Sequence, residues 1–591
     1  NFLRMKAFFV LVFLLAFCAS WSLAQVLGID LSAENVKVAA VRSGNPFHIV
    51  VDEQAKRKIP LAIAFEDGQR HFGNNAIGFA LRKPLDTYLY AQRLLGQTVS
   101  SARITELRDS FAYDYVPIPG RGDAVGIQTK DGSIYSPEEL IAMSLEHVLK
   151  IAYEDGNANV KDVVITVPHW FTSIEKEALL NAAELAGMSV MAFVTDTGAS
   201  AIQYGLDRQF DNTNATQHVA MIDVGASGVE FSYLQYQGVK TRSGVQKIAG
   251  HANVISSYSD ETIGGHFIDK LLRDYFLSLL DQKLKAKPRK DGITIEDIKK
   301  QPRAMAKLLK QAQGIKVVLS ANTEAKIHVE GIYKDIDLSS SIKRTTFEEL
   351  LQPQLTKLDN AVQKFKATLP SNAPAFDDII IVGGCARIPI IQQILKQSLA
   401  VDKLSQTLNG DEAMVMGAVF MAANQSISFQ VRPFLFTDTN NGDVHVHIHN
   451  EPMTVNTNYQ ELNTDSASSE DDTNIPGKHV VLFPKHSPIN KRKTLTLTRK
   501  EDMIISLNYD SRDVCQGCHA AVKGYTIGGV ATIFEDFVKA EQTKQQKEAS
   551  LGLSRVPKND TMTEAERSAA HQATLQAPKG VRVSLTFTTA E

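Results

Sequence analysis

The sequence predicts an α/β portion from Gln25 to about Gln425 followed by a β-rich portion. Three observations carry this. Short β-branched runs at Val26–Leu31, Val36–Val41, Val163–Val167, Val219–Val224 and Ile379–Val382 alternate with stretches of helical apolar period at Pro137–Tyr153, Ile174–Ala186 and Met305–Val318, the pattern of α/β layers. After Ser426 that period gives way to alternating segments such as "DVHVHIH" and "KTLTLTRKEDMIISLNY", which read as a β-sandwich. Finally, 591 residues exceed what a single hydrophobic core organises.

The first 24 residues read as a leader. Arg4 and Lys6 precede the apolar run Ala7–Phe17, and Ser22-Leu23-Ala24 offers small residues where a signal peptidase reads. The run is too short to span a bilayer comfortably, so removal is expected, with Met5 as initiator and no membrane span afterwards. A formal net charge of −3, from 63 basic and 66 acidic residues, carries no footprint for nucleic acid. Of the four cysteines, Cys18 leaves with the leader and Cys385 stands alone in a glycine turn. Cys515 and Cys518 form a Cys-x-x-Cys pair, better suited to a local disulfide than to zinc, because no second pair or finger-spaced histidines accompany it. Sequons stand at Asn214, Asn424 and Asn559.

In the β-rich portion, His445, His447 and His449 share one face of a strand, which is the ordinary result of alternation rather than a metal site. Residues 461–474 are acidic and small, as in a surface loop, and the polar stretch 539–579 reads as a long loop or a partly helical insertion. The strand pattern of "GVRVSLTFTTAE" runs to the last residue, so further chain is expected beyond it.

Three glycine turns direct attention to a site. "FDDIIIVGGCARIPIIQQIL" reads as a buried strand, a turn at Gly383-Gly384, and a helix from about Ile390 with Pro389 in its first turn. Such a turn can present free N–H groups to a phosphate or nucleotide. "VLGIDLSAENVKVAAV" and "HVAMIDVGASGVEFSYL" are each an apolar strand ending in Asp, a small-residue loop and a second apolar strand. Two such hairpins suit the halves of a duplicated fold facing one cleft. Asp30 and Asp223 would hold a hydrated Mg²⁺ there, while the loops offer N–H groups to phosphates.

With these segments in view, the chain resembles the seventy-kilodalton heat-shock chaperones over 25–425. The resemblance rests on "GID" at 28–30, "VVITVPHWF" at 163–171, "GASAIQYGL" at 198–206, "MIDVGASG" at 221–228, "ETIGGHFID" at 261–269, "LSANTEA" at 319–325, "VGGCARIP" at 382–389 and "NGDEAMVMGA" at 409–418. It implies an actin-like, two-lobed ATPase domain over 25–425, a linker over 426–432, and a β-sandwich peptide-binding-like domain over 433–591 that stops before a helical lid. ATP or ADP with Mg²⁺ is the implied cofactor. The positions implied for it are Asp30, Ser32, Ala33, Gly225, Ala226, Ser227, Gly264 and Gly265, together with Lys316, Ser320, Gly383, Gly384, Arg387 and Asp411 on the adenosine side. Asp196, Asp223 and Glu230 are the implied catalytic carboxylates.

The departures from the family pattern bear on chemistry. Ala33 stands where the first phosphate loop carries a hydroxyl, and Gly228 and Glu230 replace a threonine and an aspartate of the second. Thr195-Asp196-Thr197-Gly198 replaces Asn-Glu-Pro-Thr, and the motif "FGNNAIGFALRKP" places Ile77 at the catalytic lysine. An isoleucine cannot stabilise charge on a γ-phosphate, so binding is expected to outlast hydrolysis. Together with the leader, this resembles the large luminal, hypoxia-upregulated branch of the family. That branch implies nucleotide exchange on the ATPase domain of the ordinary luminal heat-shock chaperone, and holding of unfolded polypeptides, in the endoplasmic reticulum lumen. A chaperone with its own hydrolytic cycle and an actin-like ATP-binding protein that is not a chaperone are the alternatives.

Overall fold

The computed structural model describes residues 25–42, 45–156, 160–210, 215–240 and 248–449, then 479–489, 492–499, 503–510, 522–527 and 581–588, with a few single positions between 535 and 543. The leader, Asn214, Asn559, Cys515, Cys518 and the stretch 461–474 lie outside the described residues. The chain divides into a first unit that runs to Asn441 and a second that begins at Gly442.

Ten strands and two helices of the first unit frame the site: β1 (Gln25–Leu31), β2 (Asn35–Arg42), β3 (Asn45–Val50), β4 (Asp162–Val167), β5 (Ser189–Thr195), β6 (Thr216–Val224), β7 (Val229–Lys240), β8 (Ile248–Asp260), β9 (Asp378–Val382) and β10 (Phe434–Thr437), with α1 (Gly265–Ala286) and α2 (Pro302–Ala321). One sheet has the order β5-β4-β1-β2-β3, the other β9-β6-β7-β8-β10. Each is built on a hairpin, β1–β2 or β6–β7, flanked by a parallel strand, β4 or β9. The repeated plan expected from the two Asp-ended hairpins is therefore present as two sheets. The strand β1 is buried along its whole length, which is why, after Gln25, its sequence is an apolar run broken only by Gly28 and Asp30.

The helix Ala413–Gln425 is buried on nearly all sides, and its apolar sequence "AMVMGAVFMAANQ" answers to that environment. Its side chains join those of both sheets in a shared core that includes Val26, Val164, Met221 and Val419. Asn424, one of the sequon residues, is exposed near its end. The turn after β9 is a single 3₁₀ turn, Gly384–Arg387, and the helix behind it runs Pro389–Leu399 with proline at its start.

One boundary differs from expectation. The sequence places Phe434–Thr437 in the β-sandwich-like portion 433–591, yet β10 pairs in parallel with β8 in the first unit. Its Phe434 ring is only 3% exposed, so the segment is fastened by side-chain burial as well as by main-chain bonds, and the first unit extends to Asn441. The second unit holds an antiparallel sheet in the order His479–Phe483, Asp443–His449, Met503–Asp510, Val522–Ile527, and a separate pair, Arg492–Arg499 with Val581–Thr588. His445 lies buried on the second of these strands. Among the described residues no cluster of His, Cys, Asp or Glu is placed to hold a metal ion directly, and no helix is long and apolar enough to cross a membrane.

Candidate functional site

The two hairpins bring their ends to one place. In β1–β2, Asp30 lies directly opposite Lys37; in β6–β7, Asp223 lies directly opposite Glu230. Residues opposite one another on an antiparallel pair share a face, so each hairpin offers a carboxylate with a charged partner beside it. Lys37 Nζ donates to Asp30 Oδ2 at 2.5 Å. Asp30 is fully buried and Asp196, Asp223 and Glu230 nearly so. Burial, then the charges of Asp30 and Asp223, push the Asp196 carboxyl well up. Burial and Asp30 push Asp223 up to about 7, and burial with the charges of Asp196 and Asp223 raises the Glu230 carboxyl well above its ordinary value. Burial pulls the Lys37 ammonium down, but Asp30 more than offsets it and leaves the group above its ordinary value.

The loops are closed by their own bonds. The Ser32 hydroxyl donates to Asn35 O at 2.8 Å and is thereby engaged in the hairpin turn. Ala33 is buried but borders the cleft. Gln92, buried on a 3₁₀ turn, donates from Nε2 to Leu31 O at 3.0 Å and braces this loop. In the second hairpin Gly225 N–H donates to Gly228 O at 2.9 Å. A Cβ on Gly228 would lie 2.1 Å from the Trp170 ring, so the indole occupies the volume that a threonine would need. Gly265 N–H donates to Gly225 O at 3.1 Å and His266 N–H to Ala226 O at 2.8 Å. The start of α1 is thus turned onto the loop.

Between the hairpins lies a cavity of about 1990 Å³. Ser32, Ala33, Lys37, Asp196, Asp223, Gly225, Ala226, Lys316, Ser320, Gly383, Gly384, Arg387 and Asp411 all border it. Asp30, Ser227, Glu230, Gly264 and Gly265 do not: Asp30 lies behind Lys37, Glu230 accepts the His169 N–H at 2.9 Å, and the Ser227 carbonyl accepts from Arg93 Nη1 at 3.1 Å. Ile77 borders the cavity too, packed against Ala62, Ala64 and Ala76. Ile77, on the helix Gly73–Ala80, offers the carboxylates no cation; Lys37 of β2 places one against Asp30.

Among the positions that the resemblance implies for adenosine, Lys316 Nζ pairs with Asp269 at 2.8 Å and donates to Gly265 O at 3.2 Å. Ser320 Oγ donates to Lys316 O at 2.9 Å. Arg387 reaches Asp411 at 2.6 Å, which Lys58 also contacts at 2.7 Å. Burial would raise Asp411, but these two cations hold it below its ordinary value. Gly383 has φ +86°, and a Cβ there would fall 2.1 Å from Asp223 Oδ1, whereas Gly384 has open space in front of it. The Cys385 thiol beside them is pushed up to about 12, chiefly by burial, which makes it a packing group.

The donor set suits a hydrated divalent cation. Asp223 Oδ1 is buried without a hydrogen-bond partner, and both wall carboxylates, Asp196 and Asp223, are held up by burial and by neighbouring carboxylates, Asp30 above all. A cation would relieve that repulsion and favour their ionised forms. Across the cleft, Arg273 donates to Asp109 Oδ2 at 3.0 Å, His266 Nε2 meets Glu106 Oε1 at 2.9 Å, and Arg103 meets Glu261 at 2.7 Å. These bonds tie the segment 91–113 of the first half to the second. Sequence reasoning missed Lys37 and Gln92. The seven-residue separation in Asp30…Lys37, repeated in Asp223…Glu230, was the available signal, since a tight hairpin pairs exactly such positions.

The Hsp70 protein family model matches residues 26–474. Hypoxia up-regulated protein 1 of Xenopus laevis is 33% identical over 82% of this chain and 71% of its own length. The protein of the same name in Danio rerio is 32% identical over 82% of the chain and 47% of its length, and that in Homo sapiens 30% over 82% and 46%. The chain therefore spans about half the length of several of the relatives it matches. With two hairpin-based sheets enclosing a carboxylate-walled cleft, and a family match over most of its length, the chain belongs to the Hsp70 family.

Proposed function

We propose that this chain is an ATP-binding chaperone component of the endoplasmic reticulum lumen. In this reading it acts as a nucleotide exchange factor for the ATPase domain of the ordinary luminal heat-shock chaperone, and holds unfolded polypeptides. The observation that carries the reading is the cleft itself: phosphate-side carboxylates and adenosine-side Lys316, Ser320, Gly384 and Arg387 border one cavity. Mg²⁺, when bound with the nucleotide, would neutralise phosphate charge beside Asp196 and Asp223.

The chain's own groups do the rest. Gly383 and Gly384 keep the cavity floor low, Arg387 and Asp411 form its rim, and the bonds from Arg93, Glu106 and Asp109 to the second half hold the two sides together. A ligand that contacts both sides favours the closed form only by its differential affinity for it. Ala33, Gly228 and Asp196 leave fewer polar contacts for a transferring phosphoryl group, so hydrolysis is expected to be slow. The leader and the sequon at exposed Asn424 support a luminal, glycosylated protein.

The test is release of a fluorescent ADP analogue from the purified luminal partner, with and without this protein preloaded with Mg·ATP. Faster release, lost in Gly384→Trp, supports exchange. Unchanged release with a folded, ATP-loaded sample of a chain extended to the length of its relatives removes the exchange role. Suppression of aggregation of an unfolded client, measured separately, reads the holding role.

A further inference from the structure

The two hairpins are equivalent by topology, but the residue facing the strand-end aspartate differs: Glu230 faces Asp223, and Lys37 faces Asp30. Lys37 Nζ sits 2.5 Å from Asp30 Oδ2, and Asp30 has no exposed surface. Lys37 borders the cavity and Asp30 does not. Asp30 Oδ2 could therefore take a hydrated divalent ion only by giving up the ammonium already bonded to it. An ammonium also delivers its positive charge on a tether, with three donors that can turn from carboxylate to phosphate oxygen.

We propose that Lys37 is a built-in cation for the phosphate end of the cleft, standing where a metal would otherwise contact Asp30, so that nucleotide binding depends only weakly on divalent metal. This rests on the reading of the cleft as an ATP site. The remaining wall carboxylates, Asp196 and Asp223, still accept a hydrated ion, which is why the dependence is weakened rather than abolished. Among the side chains bonded to Asp30, Lys37 is the cation.

Calorimetric titration of the full chain with ATP, with excess Mg²⁺ and then with EDTA, tests this directly. Removing Mg²⁺ is expected to weaken binding by about tenfold or less in the unmodified protein, and by about 100-fold or more in Lys37→Met, whereas Lys37→Arg keeps the weak dependence. A second measurement uses Mn²⁺ alone on the nucleotide-free protein, followed by electron paramagnetic resonance. Lys37→Met should bind Mn²⁺ at least about tenfold more tightly than the unmodified chain, because Asp30 is freed. A loss of about 100-fold or more on adding EDTA to the unmodified protein would overturn the proposal while leaving ATP binding intact, and needs no variant. Equal Mn²⁺ affinity of folded Lys37→Met and unmodified chain would also overturn it. Absence of ATP binding with or without metal would instead remove the parent reading, and the proposal with it.

Discussion

Neutralising one carboxyl of the cleft should flatten the pH dependence of stability. Asp223 is 7% exposed, and burial followed by the neighbouring Asp30 lifts its carboxyl from the ordinary 3.8 to about 7. The folded protein holds this proton more tightly than the unfolded chain. Its stabilising effect is therefore complete below about pH 4 and is lost as pH rises through about 7. At about 1.4 kcal/mol per tenfold change in proton affinity, the full loss is about 4 kcal/mol, of which about 2.5 kcal/mol falls between about pH 5 and pH 8. Asp223→Asn cannot ionise, so its stability should change less over that interval by this amount. Neutralising Asp223 also relieves Asp196 and Glu230, which changes the slope in the same direction. The assay is urea unfolding of the full chain at several pH values, read by tryptophan fluorescence. The sequence has two tryptophans, and Trp170 is buried against the second hairpin. Parallel profiles for the variant and the unmodified chain, within about 0.5 kcal/mol, would refute the reasoning, because the cluster would then not hold an elevated carboxyl.

Two adjacent glycines should behave oppositely. Gly383→Ala would force a side chain into a positive-φ position and onto Asp223 Oδ1, with an expected loss of about 2–5 kcal/mol in denaturant unfolding; Gly384→Ala should be within about 0.5 kcal/mol of the unmodified chain, since its Cβ meets open space. Gly384→Trp should fold yet abolish the rise in melting temperature produced by Mg·ATP, and a retained rise would place the ligand elsewhere. Gly228→Ala should cost about 1–3 kcal/mol by pressing on Trp170, and Trp170→Phe in the same chain should recover part of it. Strictly additive losses in that double-mutant cycle would show that the indole does not occupy the missing side chain's volume.

The α/β class, the strand–glycine–helix segment around Gly383 and the two Asp-ended hairpins were legible from the chain alone. They are local: β-branched runs, a turn of small residues and a helix-starting proline are encoded within about 20 residues of one another. The motif resemblance likewise brought Asp196, Asp223, Lys316, Ser320, Gly384, Arg387 and Asp411 to one list, and the structure places all of them on one cavity. What the sequence could not show is which of the implied site residues face that cavity. Asp30 lies against Lys37 and off the lining, Glu230 accepts from His169, and the N–H groups at the start of α1 are engaged by the second loop. Nor could motif alignment reveal that Phe434–Thr437 completes the first unit's sheet, since parallel pairing with β8 joins segments far apart in sequence. Lys37 marks the division most clearly. Its hairpin is legible in the sequence and pairs it with Asp30 by register, since one residue of slip would carry it to the opposite face, but only the tertiary structure sets that local pair at the wall of the cleft.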